Sequence, residues 1–366
     1  MRLLAVAGEP SGDHRGGELL RELRGIAPGV SVYGMGGDAM ASEGMELLYS
    51  MSDYSVMGFS EVVRSLPSLR RLEQGLRGQC SARRPDCVLL IDYPGFNLRF
   101  ARWAHGQGIP VVYYVSPQIW AWARGRVRKV HRNVDLMITL FEFERDFYVR
   151  RGVNAVWSGH PLADSSACPG TGGREPVVAL LPGSRTQEVG RLLPEMLGAF
   201  GILRDRGLAE RAVVARSAGA DASLYRTAGR ADDVELADSV HDALSVSRAA
   251  LVCSGTATLE TAVHMVPMVV CYRTSMLTYL LARLLVRGVD RIGMVNIVAG
   301  RDVAPELIQG SATASRMAEE AGRLLADGPS RDSALEGLGT VKGRLGPPGG
   351  ARRAAEALVR FLGAAR

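Results

Sequence analysis

The chain is almost without lysine. Of its 44 basic residues, Lys129 and Lys342 are the lysines and arginine supplies the rest. No Gly-Lys-Ser/Thr occurs, which excludes a Walker A loop, whose lysine must reach the β- and γ-phosphates. The six histidines are too scattered for a metal site to be read from their spacing, so no metal is expected; His14 and His160 are only weak candidates for ligand contact. The five cysteines, Cys80, Cys87, Cys168, Cys253 and Cys271, form no Cys-x-x-Cys pair. Three of them fall in apolar, strand-like runs, so they read as reduced core residues of a cytoplasmic protein. Asp-x-Asp is absent, so the usual carboxylate clamp for a metal-bound diphosphate is missing. No run of 18 apolar residues exists, and nothing is expected to span a membrane as a helix. The N-terminal MRLLAVAGEP is too short in its apolar run for a signal peptide.

What is present describes a globular protein with ample core: 366 residues, 47% hydrophobic and 22% charged. That length suggests two domains. The formal charge of +6 suits acidic ligands or an anionic membrane surface, although an arginine bias of purely compositional origin would look the same.

The most informative stretch is Ala249 to His264, AALVCSGTATLETAVH. It reads as a buried strand, a tight turn and a helix. Ser254, Gly255 and Thr256 form a turn that offers backbone N–H groups and the positive end of a helix dipole to an anion. Glu260 lies just inside that helix, where a carboxylate can accept hydrogen bonds from a ribose diol. An ordinary βα unit with an acidic first turn would show the same residues.

The chain in order gives two α/β halves. Arg2–Ala7 is a strand, followed by the glycine-rich stretch from Gly8 to Gly17 and a helix over Glu18–Arg24. The turn is not G-x-G-x-x-G, so a dinucleotide fingerprint is absent. Glu9 and Asp13 nevertheless fall at the carboxyl edge of a parallel sheet, where such folds bind ligands. Cys87–Ile91 is a buried strand ending in Asp92, before a Pro-Gly turn. That position suits either a catalytic carboxylate or a helix cap. Val111–Val115 leads into Ser116–Trp122 and then Arg124, Arg126, Arg128, Lys129, His131 and Arg132. Two tryptophans beside these charges suit a nucleic acid, an acidic lipid or a solvated helix face.

The segment from Tyr54 to Ser60 is apolar and carries Met57 and Phe59. After it Leu66, Leu69, Leu72 and Leu76 recur at helical spacing with arginines alongside, either a core-facing stripe or a membrane-interface one. Residues 163–176, rich in Ser, Pro, Gly and Thr, mark the domain boundary. In the second half Val177–Leu181 is a strand and Pro182–Arg185 a turn. Gly183 and Ser184 would bend the chain toward phosphate there, and the planar fork of Arg185 matches its oxygens. Asn296 and the segment Asp302–Gln309 close the half, Gly346–Gly350 is a break, and Ala351–Leu362 a terminal helix.

Eight motifs together resemble one family. AGEPSGDHRGG (7–17), SVMGFSEV (55–62), IDYPGFN (91–97), YYVSPQIWAW (113–122), GHPL (159–162), LLPGSR (180–185), SGTATLE (254–260) and AGRDVAPELIQ (299–309) are similar to those of the lipid-A-disaccharide synthases, inverting glycosyltransferases of family nineteen. The resemblance implies an α/β, GT-B type fold: two Rossmann-like domains facing a cleft, residues 1–163 taking the acceptor and facing the membrane, 164–346 binding the UDP-sugar. The terminal helix, 347–366, would pack on the first domain or be exchanged in a homodimer.

The resemblance further implies transfer of 2,3-diacylglucosamine from UDP-2,3-diacylglucosamine to 2,3-diacylglucosamine 1-phosphate, without a cofactor or nucleic acid. The enzyme would work at the anionic cytoplasmic face of the inner membrane. By position, Asp92 matches the catalytic aspartate, with Glu9 and Asp13 as its alternates. Arg185 matches the phosphate-side arginine, Glu260 the nucleotide-binding glutamate, and Asn296 an asparagine important for activity, although the family usually reads Pro-Asn where this chain reads Val295-Asn296. Lipid substrates make Met57, Phe59, Leu66, Leu69, Leu72 and Leu76 an expected acyl or membrane contact. Rival readings are another UDP-sugar-dependent GT-B enzyme, such as the peptidoglycan N-acetylglucosaminyltransferase or an epimerase, and a nucleotide- or RNA-binding protein using Trp120, Trp122 and Arg124–Arg132.

Overall fold

The computed structural model describes residues 1–54, 59–122, 124–164, 175–217, 219–226, 228, 233–276, 279 and 291–364, with the side chains of 59–66, 122 and 124 outside the description. The chain divides into two compact units, Met1–Asp164 with Gly346–Arg366, and Ser165–Leu345.

In unit 1 the strands are β1 (Arg2–Ala7), β2 (Ser31–Gly36), β3 (Glu46–Ser50), β4 (Cys87–Ile91), β5 (Val111–Tyr114), β6 (Leu136–Thr139) and β7 (Ala155–Trp157). They form a parallel sheet of order β3-β2-β1-β4-β5-β6-β7. The helices are α1 (Pro10–Ile26), α2 (Asp38–Ser42), α3 (Phe59–Arg83), α4 (Pro94–Gly106), α5 (Ile119–Trp122), α6 (Val127–Asn133) and α7 (Glu142–Val149). In unit 2, β8 (Val177–Leu181), β9 (Arg211–Ala215), β10 (Val234–Ala237), β11 (Ala249–Cys253), β12 (Met268–Tyr272) and β13 (Glu306–Ile308) form a second parallel sheet, order β10-β9-β8-β11-β12-β13. Its helices are α8 (Thr186–Asp205), α9 (Val240–Val246), α10 (Ala257–Val263), α11 (Met294–Ala299), α12 (Ala314–Leu325) and α13 (Pro329–Arg344). The terminal helix α14 (Gly350–Ala364) returns to unit 1 and packs on α1. Arg353 holds it there, donating to Ser158 O at 2.8 Å.

The central strands β4, β8 and β11 are buried along their whole length. Helices cover both faces of such a sheet, so these strands are runs of Val, Leu, Ile, Ala and Cys rather than alternating patterns.

Two expectations from the sequence are corrected. The glycine-rich stretch after β1 is not a long turn: α1 begins at Pro10, immediately after Glu9. Proline suits a first helical turn, where its missing N–H costs nothing. Gly12, Gly16 and Gly17 lie on the buried face of that helix. A Cβ on Gly16 would come within 2.5 Å of Met40 Sδ, and one on Gly17 within 2.9 Å of Ala39 O. These glycines let the neighbouring elements approach α1 closely.

The second correction concerns the leucine stripe. Leu72 and Leu76 are fully buried in the unit 1 core with Cys80, and Leu69 is half-buried against it. Leu72 and Leu76 face the core of their own unit, so these two are not a docking surface. Arg77 stacks over Trp103, 5.2 Å from the ring centroid, and Arg99 pairs with the buried Glu73 at 2.7 Å. Met57 lies outside the described residues, as do the side chains of Phe59 and Leu66 and most of the apolar stretch 276–287. Among the described residues no helix is long and apolar enough to cross a membrane.

Candidate active site

Each sheet reverses its strand order once. In unit 1 the chain winds outward from β1 to β2 and β3, then resumes on the other side of β1 at β4. In unit 2 it does the same at β8 and β11. Helices diverge at such a reversal and leave a crevice at the carboxyl ends of the two strands, where open α/β sheets bind ligands. Ala7 pairs with Ile91 at the first reversal and Leu181 with Val252 at the second. Glu9 and Asp92 therefore leave adjacent strands at one edge. Gly183–Arg185 and Ser254–Thr256 do so at the other.

At the unit 1 edge, Asp92 and Tyr93 both have φ near 48°. Two consecutive non-glycine residues in the left-handed region cost roughly 1–3 kcal/mol each unless the surroundings hold them. Those surroundings are explicit. The buried Asn97 amide donates to Asp92 O at 2.8 Å and reaches Ile91 O and Val6 O at 3.3 Å. The buried Tyr113 hydroxyl donates to Asp92 O as well. Tyr93 lies flat over Gly8, where any Cβ would overlap its ring, and continues into a stack with Phe96 and Phe100. The Asp92 carboxyl is half-buried. Burial first and the nearby Glu9 second push it up to about 6, against the pull of the Tyr93 N–H.

The other two carboxylates differ in kind. Glu9 is exposed at the mouth of the same edge. Asp13 is buried and accepts the N–H groups of Gly37, Ala39 and Met40 at 2.7, 3.0 and 3.1 Å. It caps α2, and a carboxylate committed to three backbone donors is poorly placed to take a proton from a substrate. His160 is buried, its Nδ1 accepts the Leu162 N–H at 3.1 Å, and burial pushes it down to about 3. It is neutral near pH 7, and its ring packs against Phe141. His14 is exposed beside Glu18. Trp120 is half-buried, its N–H bonded to Glu144 at 3.1 Å and its ring against Phe143.

At the unit 2 edge, Gly183 has φ of 116°, and a Cβ there would meet Glu188 Oε2 at 2.6 Å. Glu188 accepts the N–H groups of Ser184 and Arg185 at 3.1 and 3.3 Å and pairs with the Arg185 guanidinium at 3.2 Å. This fixes the turn and leaves the arginine side chain exposed. Beside it, Ser254 Oγ donates to Ile292 O at 2.9 Å, Thr256 precedes α10, and Glu260 is half-buried within α10. The N–H groups of Gly255, Thr256 and Ala257 open that helix, where backbone donors lack intrahelical partners.

Asn296 stands apart from this edge. It is 1% exposed. Its amide donates to Ala304 O and Glu306 Oε1, both at 2.8 Å, and its carbonyl accepts the N–H groups of Val303 and Ala304 at 2.7 and 2.9 Å. Glu306 also accepts from Ile292 and Gly293 at 2.9 Å. Asn296 thus ties α11 to β13 and to the Val303–Ala304 segment before it, and Glu306, which it holds, ties the loop before α11, where Ile292 O accepts from Ser254. Val295 occupies the first turn of α11. A proline fits there as well, since that N–H is unbonded in any helix, so valine leaves the asparagine's setting intact. Asn296→Ala should lower the unfolding free energy by roughly 2–3 kcal/mol, because buried donors and acceptors lose their partner; urea unfolding monitored by circular dichroism would check this.

The sequence reading passed over Asn97, Tyr113, Glu188 and Glu306. Glu188 reaches back to the Arg185 N–H as the acidic half of a capping box does, but the N-cap is an arginine rather than a Ser or Thr, so the sequence lacks the usual signal; Asn97 and Tyr113 are visible only through their burial, and Glu306 only through its partners.

A family model described as lipid-A-disaccharide synthetase matches residues 3–337. The lipid-A-disaccharide synthase of Myxococcus xanthus (strain DK1622) is 40% identical over 99% of this chain and 97% of its own. That of Geobacter metallireducens is also 40% identical, over 100% and 98%. The chain belongs to the lipid-A-disaccharide synthase family.

Membership makes it a glycosyltransferase, and the solved structures it is similar to agree in fold. CalG4, the calicheamicin glycosyltransferase, superposes with a TM-score of 0.64 at 17% identity, over 99% of this chain and 98% of that one. MurG of Acinetobacter baumannii gives 0.58 at 12%, over 98% and 99%. A UDP-GlcNAc 2-epimerase of Neisseria meningitidis gives 0.63 at 13%, over 98% and 100%. The fold is GT-B, and at such identities the likeness extends to fold alone. Family membership, not fold, separates this chain from the epimerase and the peptidoglycan enzyme.

Proposed function

We propose that the chain transfers 2,3-diacylglucosamine from UDP-2,3-diacylglucosamine to the 6-hydroxyl of 2,3-diacylglucosamine 1-phosphate, giving the β-1,6-linked disaccharide 1-phosphate and UDP. The observation that carries this reading is the coincidence of motif residues with both strand-order reversals. Carboxylates gather at one, and an arginine with a helix-opening turn at the other.

Asp92 is the general base in this reading. An aspartate at its ordinary pKa of ~3.9 accepts a proton from an alcohol poorly, and one raised toward neutrality does so better. Asp92 takes the 6-hydroxyl proton as that oxygen attacks C1 and the C1–O bond to UDP breaks, the bonding pair leaving on the diphosphate. A single displacement inverts C1 and needs no covalent intermediate. Arg185 and the N–H groups of Gly255, Thr256 and Ala257 take the charge developing on the diphosphate, in place of a metal. Glu260 accepts the ribose hydroxyls.

Calorimetric titration with UDP tests the donor half. Arg185→Ala should weaken UDP by about ten- to a hundredfold, the loss expected for a charge-assisted, two-point contact, and EDTA should leave wild-type affinity unchanged. Equal affinity in the two proteins would remove Arg185 from the diphosphate.

The substrates' acyl chains require work at a bilayer surface. With Leu72 and Leu76 in the core, that contact falls to Met57, Phe59, Leu66 and the half-buried Leu69. A homodimer that exchanges α14 would reuse the Arg353 contacts between copies, and sedimentation equilibrium would report a mass of two chains.

A further inference from the structure

The segment after β5, Val115–Trp122, adjoins Asp92, whose backbone N–H donates to Tyr114 O at 3.0 Å. Val115 has φ of 62°, an outlier for a β-branched residue, so the chain bends sharply there and needs support. Three contacts supply it. Ile119 is fully buried in the core. The Tyr148 hydroxyl donates to Pro117 O at 2.9 Å. The Trp120 indole N–H donates to Glu144 Oε1 at 3.1 Å, while the ring stands edge-on to Phe143, centroids 5.1 Å apart.

Glu144 is itself 4% exposed. Its second oxygen accepts the Phe141 N–H at 3.4 Å. A buried carboxyl is costly, and burial pushes this one up to about 7, with the Trp120 indole the first group to draw it back down. An apolar side chain of similar size would fill the space without that cost but would leave the indole donor unmet. Within the stretch held this way, Ser116, Pro117 and Ile119 are buried and Gln118 is exposed.

We propose that Glu144 is a positioning residue for the acceptor half of the site: its carboxylate fixes the Trp120 indole, and through it the backbone that presents Gln118 beside the strand carrying Asp92. This rests on reading that edge as the acceptor side.

The test uses the full chain, with Glu144→Ala and Trp120→Phe made singly and together. Amide hydrogen exchange is followed over residues 115–122. Acceptor KM, donor KM and kcat are measured by UDP release from UDP-2,3-diacylglucosamine with 2,3-diacylglucosamine 1-phosphate. Each single variant should speed exchange in that segment and raise acceptor KM about tenfold, the effect of losing one hydrogen bond to a charged group. Donor KM should stay within about twofold, and the double variant should be no worse than the worse single one, because both break one contact. Trp120→Phe keeps an aromatic side chain, smaller than indole, and removes the donor while leaving Glu144 in place, so it answers the question even where Glu144→Ala fails to fold. Unchanged exchange in Trp120→Phe, or equal rises in both KM values, would overturn the proposal. Wild-type protein without turnover would overturn the acceptor reading instead, and the exchange result would then decide the Glu144 contact by itself.

Discussion

Asp92→Asn should lower kcat by about 10²–10⁴-fold, the usual contribution of a general base, without unfolding the protein. The pH dependence follows from the same group. Burial, and then Glu9, raise its carboxyl to about 6, and only the ionised form accepts a proton. In wild-type protein kcat/KM should therefore climb with pH through about 6 and level off above it. Glu9→Gln should shift that limb to lower pH by removing a repelling charge. Stability runs the other way. A carboxyl whose folded pKa lies above its unfolded one contributes stability that is present below the unfolded value and lost as pH rises through about 6. Asp92→Asn should accordingly melt at or above the wild-type Tm near neutrality. Near-normal turnover in a folded Asp92→Asn protein would transfer the base role to Glu9.

Leu72→Ala should cost about 2–5 kcal/mol of unfolding free energy, the range for large-to-small changes in a packed core. Leu72 is fully buried among unit 1 core residues, and a typical domain has only about 5–15 kcal/mol in hand. The denaturant midpoint should fall well below wild type. Co-sedimentation of the remaining folded protein with anionic vesicles should not change, whereas Phe59→Ser should reduce it. If instead Leu72→Ala left the midpoint unmoved and abolished vesicle binding, the assignment of the stripe to the core would be wrong.

The leucine stripe shows where sequence pattern stops being informative. A period of 3.6 residues marks one apolar helix face and is silent on whether a sheet or a lipid covers it. The glycine-rich stretch misled for a related reason. Glycines at 12, 16 and 17 suggest a turn by composition, yet they also fall on the buried side of a helix, where Ile91 and Asp92 approach Gly12, Met40 approaches Gly16 and Ala39 approaches Gly17. The buried strands β1, β4, β8 and β11 were legible because four to six consecutive apolar residues between turns have few other uses. That Asp92, Arg185 and Glu260 fall near the carboxyl ends of strands was legible because they follow β4, β8 and β11 by one, four and seven residues. Asp13 and Asn296 were recognised by residue type and motif, but the partners of Asp13 are backbone groups 24 to 27 residues away, and those of Asn296 are backbone groups 7 to 8 residues away and the Glu306 side chain. Only the folded chain shows that these side chains are already satisfied. The same holds for Asn97, which supports the bend at Asp92 from within the core.

The most direct test of the proposed transfer is UDP release by the purified protein in EDTA, from UDP-2,3-diacylglucosamine, with and without 2,3-diacylglucosamine 1-phosphate. Release that depends on the acceptor, persists in EDTA and is lost with Asp92→Asn is the result expected of a metal-independent transferase with its base at the β4 edge. Folded protein that binds UDP yet releases none in the presence of both lipids would contradict the acceptor assignment.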